Sequence, residues 1–113
     1  MYYALCSKLA LDTAGTFGQS PAYSQPVAMN GGNAVQWEAV VFYIDRDGIV
    51  FQLQTSNDLE NWTDKGSVQT MNSTGHKLFT AETDVATAYV RLKYSVAESG
   101  KAILAAGINI SSQ

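Results

Sequence analysis

The chain has 113 residues, a mass of 12.2 kDa and a formal charge of -3, from seven Lys and Arg against ten Asp and Glu. This length supports one domain, because two separate cores would each be too small to fold without disulfides or metals. The composition is 46% hydrophobic and 15% charged, which indicates a globular chain and excludes a disordered chain or a coiled coil. The negative charge gives no general attraction for phosphate backbones or anionic membranes, so we expect no nucleic acid and no membrane as partner.

The cysteine content and the first residues indicate the cellular compartment in which the protein is made. Cys6 is the only cysteine, which excludes an internal disulfide and a zinc site with several cysteine ligands. No basic segment followed by a long apolar run opens the sequence, and the longest apolar stretch, 39–44, is far shorter than the ~20 residues of a membrane helix. We therefore expect synthesis in a cytoplasm, with Cys6 acting as a small buried hydrophobe.

Apolar residues alternate along most of the chain, and no window shows helical spacing between helix caps. The sequence therefore predicts an all-β protein. Strands are predicted, in chain order, over 2–11, 34–44, 49–55, 65–71, 77–81, 89–96 and 101–110. Residues 12–33 are rich in Gly, Ser, Ala and Gln and hold both prolines, which indicates a flexible loop or an arm that wraps a neighbouring subunit.

Three local patterns give more specific expectations. The run 45–48, Asp-Arg-Asp-Gly, lies between two strong strands and predicts a β-hairpin. In the next strand Gln52 and Gln54 alternate with apolar residues, which predicts a sheet with one face in water. In the last strand the small residues Ala105 and Gly107 lie opposite the apolar positions and permit close approach of another layer.

Seven or eight strands in so short a chain fit two packed antiparallel sheets. We therefore predict an antiparallel β-sandwich of jelly-roll type that forms a single domain over 1–113. Its inner faces are predicted to carry Trp37, Phe51, Leu53, Val90, Leu92, Tyr94, Leu104 and Ile108. Further aromatic residues exceed what this core obviously needs, so either some of them face partners or they belong to an ordinary two-layer core: Tyr2, Tyr3, Phe17, Tyr23, Phe42, Tyr43 and Phe79.

One local motif is more specific than the strand pattern. Residues 51–63 form a strand followed by Ser-Asn-Asp, a short loop and Asn-Trp-Thr. Asn57 and Asp58 can close an Asx turn, Asn61 tolerates left-handed geometry, and Trp62 can fold back to cap the core. These four residues are also the candidate interaction or ligand loop.

Together with residues 87–94, this motif resembles segments of discoidin-like (F5/8 type C) jelly rolls and of small β-sandwich proteins of tailed-phage particles. Discoidin-like domains are usually secreted, longer and closed by a disulfide, which a chain with one cysteine does not match. The phage resemblance implies a virion structural protein, either a head decoration (cement) protein or an accessory protein of head or tail. It also implies many copies, bound to one another and to a major capsid or other virion protein.

The residues that catalysis needs form no recognisable constellation. His76, the only histidine, follows a glycine in a predicted turn and has no acid in a recognisable orienting motif. The clustered acids lie in turns, and Asn57 and Asp58 with nearby carbonyls support a calcium site only weakly. We therefore expect no enzyme activity, no cofactor and no metal, and a non-enzymatic structural protein of a virion as the leading hypothesis.

The alternative from a different class is a carbohydrate-binding module. Trp37 or Trp62, together with Tyr89, would stack on a sugar, and a glycan would then be the partner. Asn57 and Gln54 would donate hydrogen bonds to it.

Overall fold

The computed structural model describes residues 1–12, 21–45, 48–96 and 100–112. Within these ranges the strands are β1 (Tyr2–Asp12), β2 (Ala22–Tyr23), β3 (Val27–Ala28), β4 (Ala34–Ile44), β5 (Ile49–Ser56), β6 (Thr63–Met71), β7 (Gly75–Leu78), β8 (Tyr89–Val96) and β9 (Lys101–Ser111). The strands predicted over 34–44 and 89–96 have their predicted bounds. The other five are displaced by one to three residues at one or both ends, and β2 and β3 were not predicted.

The strands form two antiparallel sheets. One sheet has the order β1-β9-β4-β7, and the other has the order β2-β8-β5-β6 with β3 also paired to β8. The pairing is nested, because β1 pairs with β9, β2 and β3 with β8, β4 with β7, and β5 with β6. A nested set of this kind is a long hairpin rolled around a core, which is the jelly-roll arrangement. The predicted all-β sandwich is confirmed.

The core lies between the two sheets. All eight side chains predicted for the inner faces are at most 1% exposed. Trp37 on β4 stacks on Phe79, with ring centroids 5.8 Å apart. Phe79 lies 5.4 Å from Phe51 of β5, and Phe51 meets Tyr94 of β8 edge-on at 5.9 Å. This row of four rings crosses the core and joins one sheet to the other.

The aromatic residues predicted in excess of the core differ in burial. Phe79 is buried, 2% exposed, although it follows the short strand β7. Four others are between 45% and 54% exposed, namely Tyr2, Tyr23, Phe42 and Tyr43. Tyr3 and Cys6 are partly buried against the core, and burial raises the pKa of the Cys6 thiol. Phe17 lies outside the described residues.

The hairpin predicted at 45–48 is wrong. β4 belongs to the four-stranded sheet and β5 to the five-stranded sheet, so the connection crosses from one layer to the other. Val41 at the end of β4 and Ile49 at the start of β5 are both buried in the shared core. Turn-forming residues reverse the chain both in a hairpin and in a connection that crosses to the other sheet. The crossover forms here because the two strands are buried against each other across the core. Residues 46–47 themselves lie outside the described ranges.

The water-exposed side predicted for β5 is also wrong. Gln52 and Gln54 are only 7% and 9% exposed. β5 is an interior strand, and Gln54 on its outer side is bonded to Arg91 of β8 and Asp64 of β6. Gln52 Nε2 donates a hydrogen bond to the carbonyl oxygen of Lys65 at 3.1 Å, which satisfies the buried amide.

Residues 21–33, the described part of the predicted loop or arm, run along β8. Val27 and Met29 are buried in the core, 7% and 3% exposed. Ser24 N–H donates to the carbonyl oxygen of Leu92 at 2.8 Å, and Leu92 N–H donates to Ser24 Oγ at 2.9 Å. This segment therefore completes the edge of the five-stranded sheet. The two strands of this segment, β2 and β3, are too short to show an alternation of apolar and polar residues in the sequence. Residues 13–20 lie outside the described ranges.

Candidate functional site

The four candidate residues lie in the loop that joins β5 to β6. The loop begins at Ser56, which is 3% exposed. Ser56 Oγ accepts hydrogen bonds from the backbone N–H groups of Asp58 and Leu59, at 3.2 and 3.0 Å. The first turn of the loop is therefore set by a side chain of the preceding strand.

The carboxylate of Asp58 holds the rest of the loop. Its Oδ1 accepts hydrogen bonds from the N–H groups of Asn61 and Glu60, at 2.8 and 2.9 Å, and from Ser56 Oγ at 3.0 Å. Its Oδ2 accepts one from Asn61 Nδ2 at 2.7 Å. Donors on both oxygens stabilise the ionised form, the N–H of Asn61 most strongly, and hold the pKa of Asp58 far below its usual range. Asp58 thus has a structural role in this loop.

We expect this carboxylate to make the protein sensitive to acid. The folded pKa lies below the unfolded value of about 3.9, so the contribution of Asp58 to the free energy of unfolding is complete above about pH 4 and is lost as the pH falls through the folded pKa. Asp58→Asn keeps an oxygen acceptor for the two N–H groups but does not titrate. Its free energy of unfolding, measured by urea denaturation at a series of pH values, is expected to fall less steeply below about pH 4 than that of the wild type. Identical slopes for the two proteins would contradict this role.

The left-handed residue of the loop is Leu59, and the prediction for Asn61 is wrong. Leu59 has a φ of 67°, a conformation that costs a bulky residue about 1 kcal/mol. Its N–H is held by Ser56 Oγ, and the side chain of Asp58 bonds the two N–H groups that follow. The hydrogen bonds of the motif therefore impose the conformation, and Leu59 remains 46% exposed at the tip.

Trp62 does not cap the core, contrary to the prediction. It lies on the outer face of the five-stranded sheet, where the Cζ of Arg91 on β8 is 4.2 Å from its ring centre. The ring of Tyr23 on β2 is 4.3 Å from the same atom. Tyr23 comes from one side of β8 and Trp62 from the other, so the guanidinium lies between two aromatic rings. The buried tryptophan is Trp37, 1% exposed.

The stack is fastened to the sheet by a chain of hydrogen bonds. Arg91 Nε donates to Gln54 Oε1 at 2.8 Å, and Gln54 Nε2 donates to Asp64 Oδ1 at 3.0 Å. The chain runs across β8, β5 and β6 and accounts for the burial of Gln54. Sequence reasoning missed this arrangement, because its members are distant along the chain and no local pattern relates them.

An open cleft of about 600 Å³ lies beside the loop. Residues 28–33 line one side, and residues 85–89 with Asn57 line the other. Asn57 Oδ1 accepts a hydrogen bond from the N–H of Ala88 at 3.0 Å, so the two segments that carry the phage resemblance are in direct contact. Tyr89 lines the same cleft. Of the aromatic residues predicted to stack on a sugar, Tyr89 is the one placed at a cleft, since Trp37 is buried in the core.

A second polar cluster lies on the opposite sheet. His76 Nε2 is 3.0 Å from Glu38 Oε2, and Tyr2 OH donates to Glu38 Oε1 at 3.1 Å. The hydrogen bond from His76 lowers the pKa of Glu38 most, and the bond from Tyr2 lowers it further. Burial is the main cause that raises the pKa of Tyr2, and the bond to Glu38 adds to it. The turn predicted for His76 is wrong, because His76 lies in β7 opposite Val40. Its acid partner Glu38 is distant along the chain, so no local motif shows it. The exposure of His76 is confirmed, with 54% of the side chain accessible.

Within the described ranges, no group of three or more His, Cys, Asp or Glu residues is placed to hold a metal ion. The same ranges contain no helix with the length and apolarity needed to cross a membrane. No protein-family model matches the chain, and no curated protein matches it. The resemblance of 51–63 and 87–94 to phage β-sandwich proteins therefore stays a prediction.

Proposed function

We propose that this chain is a non-enzymatic structural protein of a phage-type virion. It decorates or cements the capsid, or serves as an accessory component of head or tail, through protein-protein contacts. It is made in the host cytoplasm and resides in the virion, with copies of itself and a major capsid or other virion protein as partners. The observation that carries this proposal is an exposed apolar surface on the four-stranded sheet.

This surface, here named the apolar face, is the side of β1, β9, β4 and β7 that points away from the core. The strand register sets Ala4, Gly107, Glu38 and Leu78 in one row across all four strands. The next row holds Ala105, Val40 and His76, and the large exposed members of the face are Tyr2, Phe42, Tyr43 and Leu78. The ring of Tyr2 lies so close over Gly107 that a Cβ there would overlap its hydroxyl oxygen. The small residues thus form a floor, and the large residues stand around it.

The composition of the apolar face is that of a protein interface. Interface cores are rich in aromatic residues and poor in charges, and soluble monomers seldom expose a large apolar patch. Of the acids whose side chains the structure describes, Glu38 is the one on this face, and its two oxygens are bonded to Tyr2 and His76. The two rows described above are therefore mainly apolar, and the lysines of this sheet's long strands, Lys8 and Lys101, lie outside them.

We expect the purified protein to bind the capsid shell, or the tail, encoded in the same genome. Particles assembled without the protein are mixed with it and recovered by sedimentation. Saturable recovery with a fixed number of copies per particle is the expected result, and electron microscopy then locates the added density. Absence of binding to both heads and tails would contradict the proposal.

The cleft beside Tyr89 favours a carbohydrate-binding module as the second candidate. Tyr89 offers a ring for stacking, and Asn57 and Thr87 line the same cleft with polar groups. Trp62 and Gln54 contribute less than the sequence predicts, because both are engaged with Arg91. A glycan array with the wild type and Tyr89→Ala tests this function. Glycan binding by the wild type that Tyr89→Ala abolishes would support this function. Absence of binding by the wild type to any glycan on the array would contradict it.

A further inference from the structure

The apolar face carries both a projecting side chain and a depression that fits one. A trough of about 280 Å³ lies beside the ring of Tyr2, whose hydroxyl reaches Glu38 across Gly107, and Ala4, Val40 and Ala105 line it. At the other end of β4 the pairing with β9 is interrupted by a bulge between Val41 and Tyr43. Phe42 occupies this bulge and is 50% exposed. A surface that holds a depression and a matching projection is complementary to itself.

We propose that the apolar face binds a second copy of this chain, in a two-fold dimer whose sheets pack face to face. Phe42 of each copy enters the trough of the other. In a two-fold interface a contact made by one copy is repeated by its partner, so one kind of contact is made twice. Val40 lies between Glu38 and Phe42 on β4 and lines the trough itself, so a two-fold axis that passes near Val40 sets Phe42 of each copy against the Glu38 side of the other copy's trough.

The distribution of charge favours a copy of the same chain as the occupant. Apart from Glu38 and Asp12, which pairs in register with Lys101 at the end of β1, the described acids lie in loops or on the five-stranded sheet: Asp45, Asp58, Glu60, Asp64, Glu82 and Asp84. Two molecules with a formal charge of -3 that meet through the apolar face keep these acids apart. A basic partner would instead be attracted to the acidic loops.

The available area is sufficient for a stable dimer. β1, β4 and β9 have 11 residues each, and at about 3.3 Å per residue and 4.8 Å between strands they cover on the order of 500 Å². The four residues of β7 add about 60 Å² on the same spacings. Two copies that cover the whole face then bury about 1,100 Å², which exceeds the roughly 1,000 Å² expected of a biological interface.

The mass of the protein in solution tests the dimer. Sedimentation over a range of concentrations is expected to show a species of twice 12.2 kDa. Phe42→Glu places a charge in the trough of the partner and is expected to raise the dimer dissociation constant at least about tenfold. Val68→Glu is the matched control, because Val68 is 57% exposed on β6 of the other sheet and the variant adds the same charge. A monomeric wild type, a larger ring, or a dimer that Phe42→Glu leaves intact would overturn the inference.

A cross-link tests the position of the axis. In a Cys6→Ala background, Val40→Cys is expected to form a disulfide between two copies under mild oxidation, and Val68→Cys is not. The reverse result would overturn the proposed axis. The inference rests on the protein-contact role proposed above, but these measurements use no particles. A monomer that still binds capsids would overturn the dimer and leave the proposed function intact.

Discussion

Replacement of Trp37 by alanine is expected to lower the free energy of unfolding by about 3 to 5 kcal/mol. Trp37 is 1% exposed and stacks on Phe79 between the two sheets. Its Nε1 has no hydrogen-bond partner in the described part of the chain, so the substitution sacrifices no satisfied polar contact. The loss comes from the apolar area and from the cavity that the indole leaves.

Trp62→Ala is the matched control for this experiment. The indole of Trp62 lies on the outer face of the sheet and packs on Arg91, so its removal is expected to cost about 1 kcal/mol. Urea denaturation followed by circular dichroism measures both variants without relying on tryptophan emission. Equal losses for the two variants would contradict the assignment of Trp37 to the core and Trp62 to the surface.

Phe79→Ala is expected to cost a similar 3 to 5 kcal/mol, although the residue lies in an irregular segment. Its ring contacts both Trp37 of one sheet and Phe51 of the other, and it is 2% exposed. Its backbone is also fixed, because its N–H donates to the carbonyl oxygen of Trp37 at 3.0 Å and its carbonyl accepts from Gln36 Nε2 at 3.0 Å. The fixed backbone limits how far the chain can close the cavity that the missing ring would leave.

The neighbouring residue supplies the comparison for Phe79. Leu78 is 57% exposed on β7, and Leu78→Ala is expected to change the free energy of unfolding by no more than about 0.5 kcal/mol. Urea midpoints of the two variants, measured under the same conditions, give the difference directly. A loss for Phe79→Ala as small as that for Leu78→Ala would show that the ring does not join the sheets.

The strands with long regular alternation were predictable from the sequence. Tyr89–Val96 buries every second residue, as two packed sheets require, and Ala34–Ile44 was bounded by turn signals on both sides. The connection at 45–48 was not predictable, because Gly and Asp favour a reversal whichever sheet the next strand joins. The sheet that a strand joins depends on the packing of the whole chain, and the residues of a turn carry no information about it.

The candidate site was predictable only in part. The Asx turn at Asp58 is a short-range arrangement, and the sequence located it correctly. The left-handed residue was misplaced, because propensity favours Asn61 while the hydrogen bonds require Leu59. The sandwich of Arg91 between Tyr23 and Trp62 joins three distant segments, and only the order of the strands brings them together.

The nested pairing of the strands sets the time course of folding. Tyr2 pairs with Asn109 and Ala10 with Ile103, so β1 and β9 meet only after about a hundred intervening residues have been made. At about 5 to 20 residues per second, a ribosome needs roughly 5 to 20 s to deliver that length of chain. Throughout this interval β1 is an apolar strand without its neighbour, open to pairing with other nascent chains. We therefore expect the yield of native protein to fall when contact between unfinished chains is faster than the completion of synthesis.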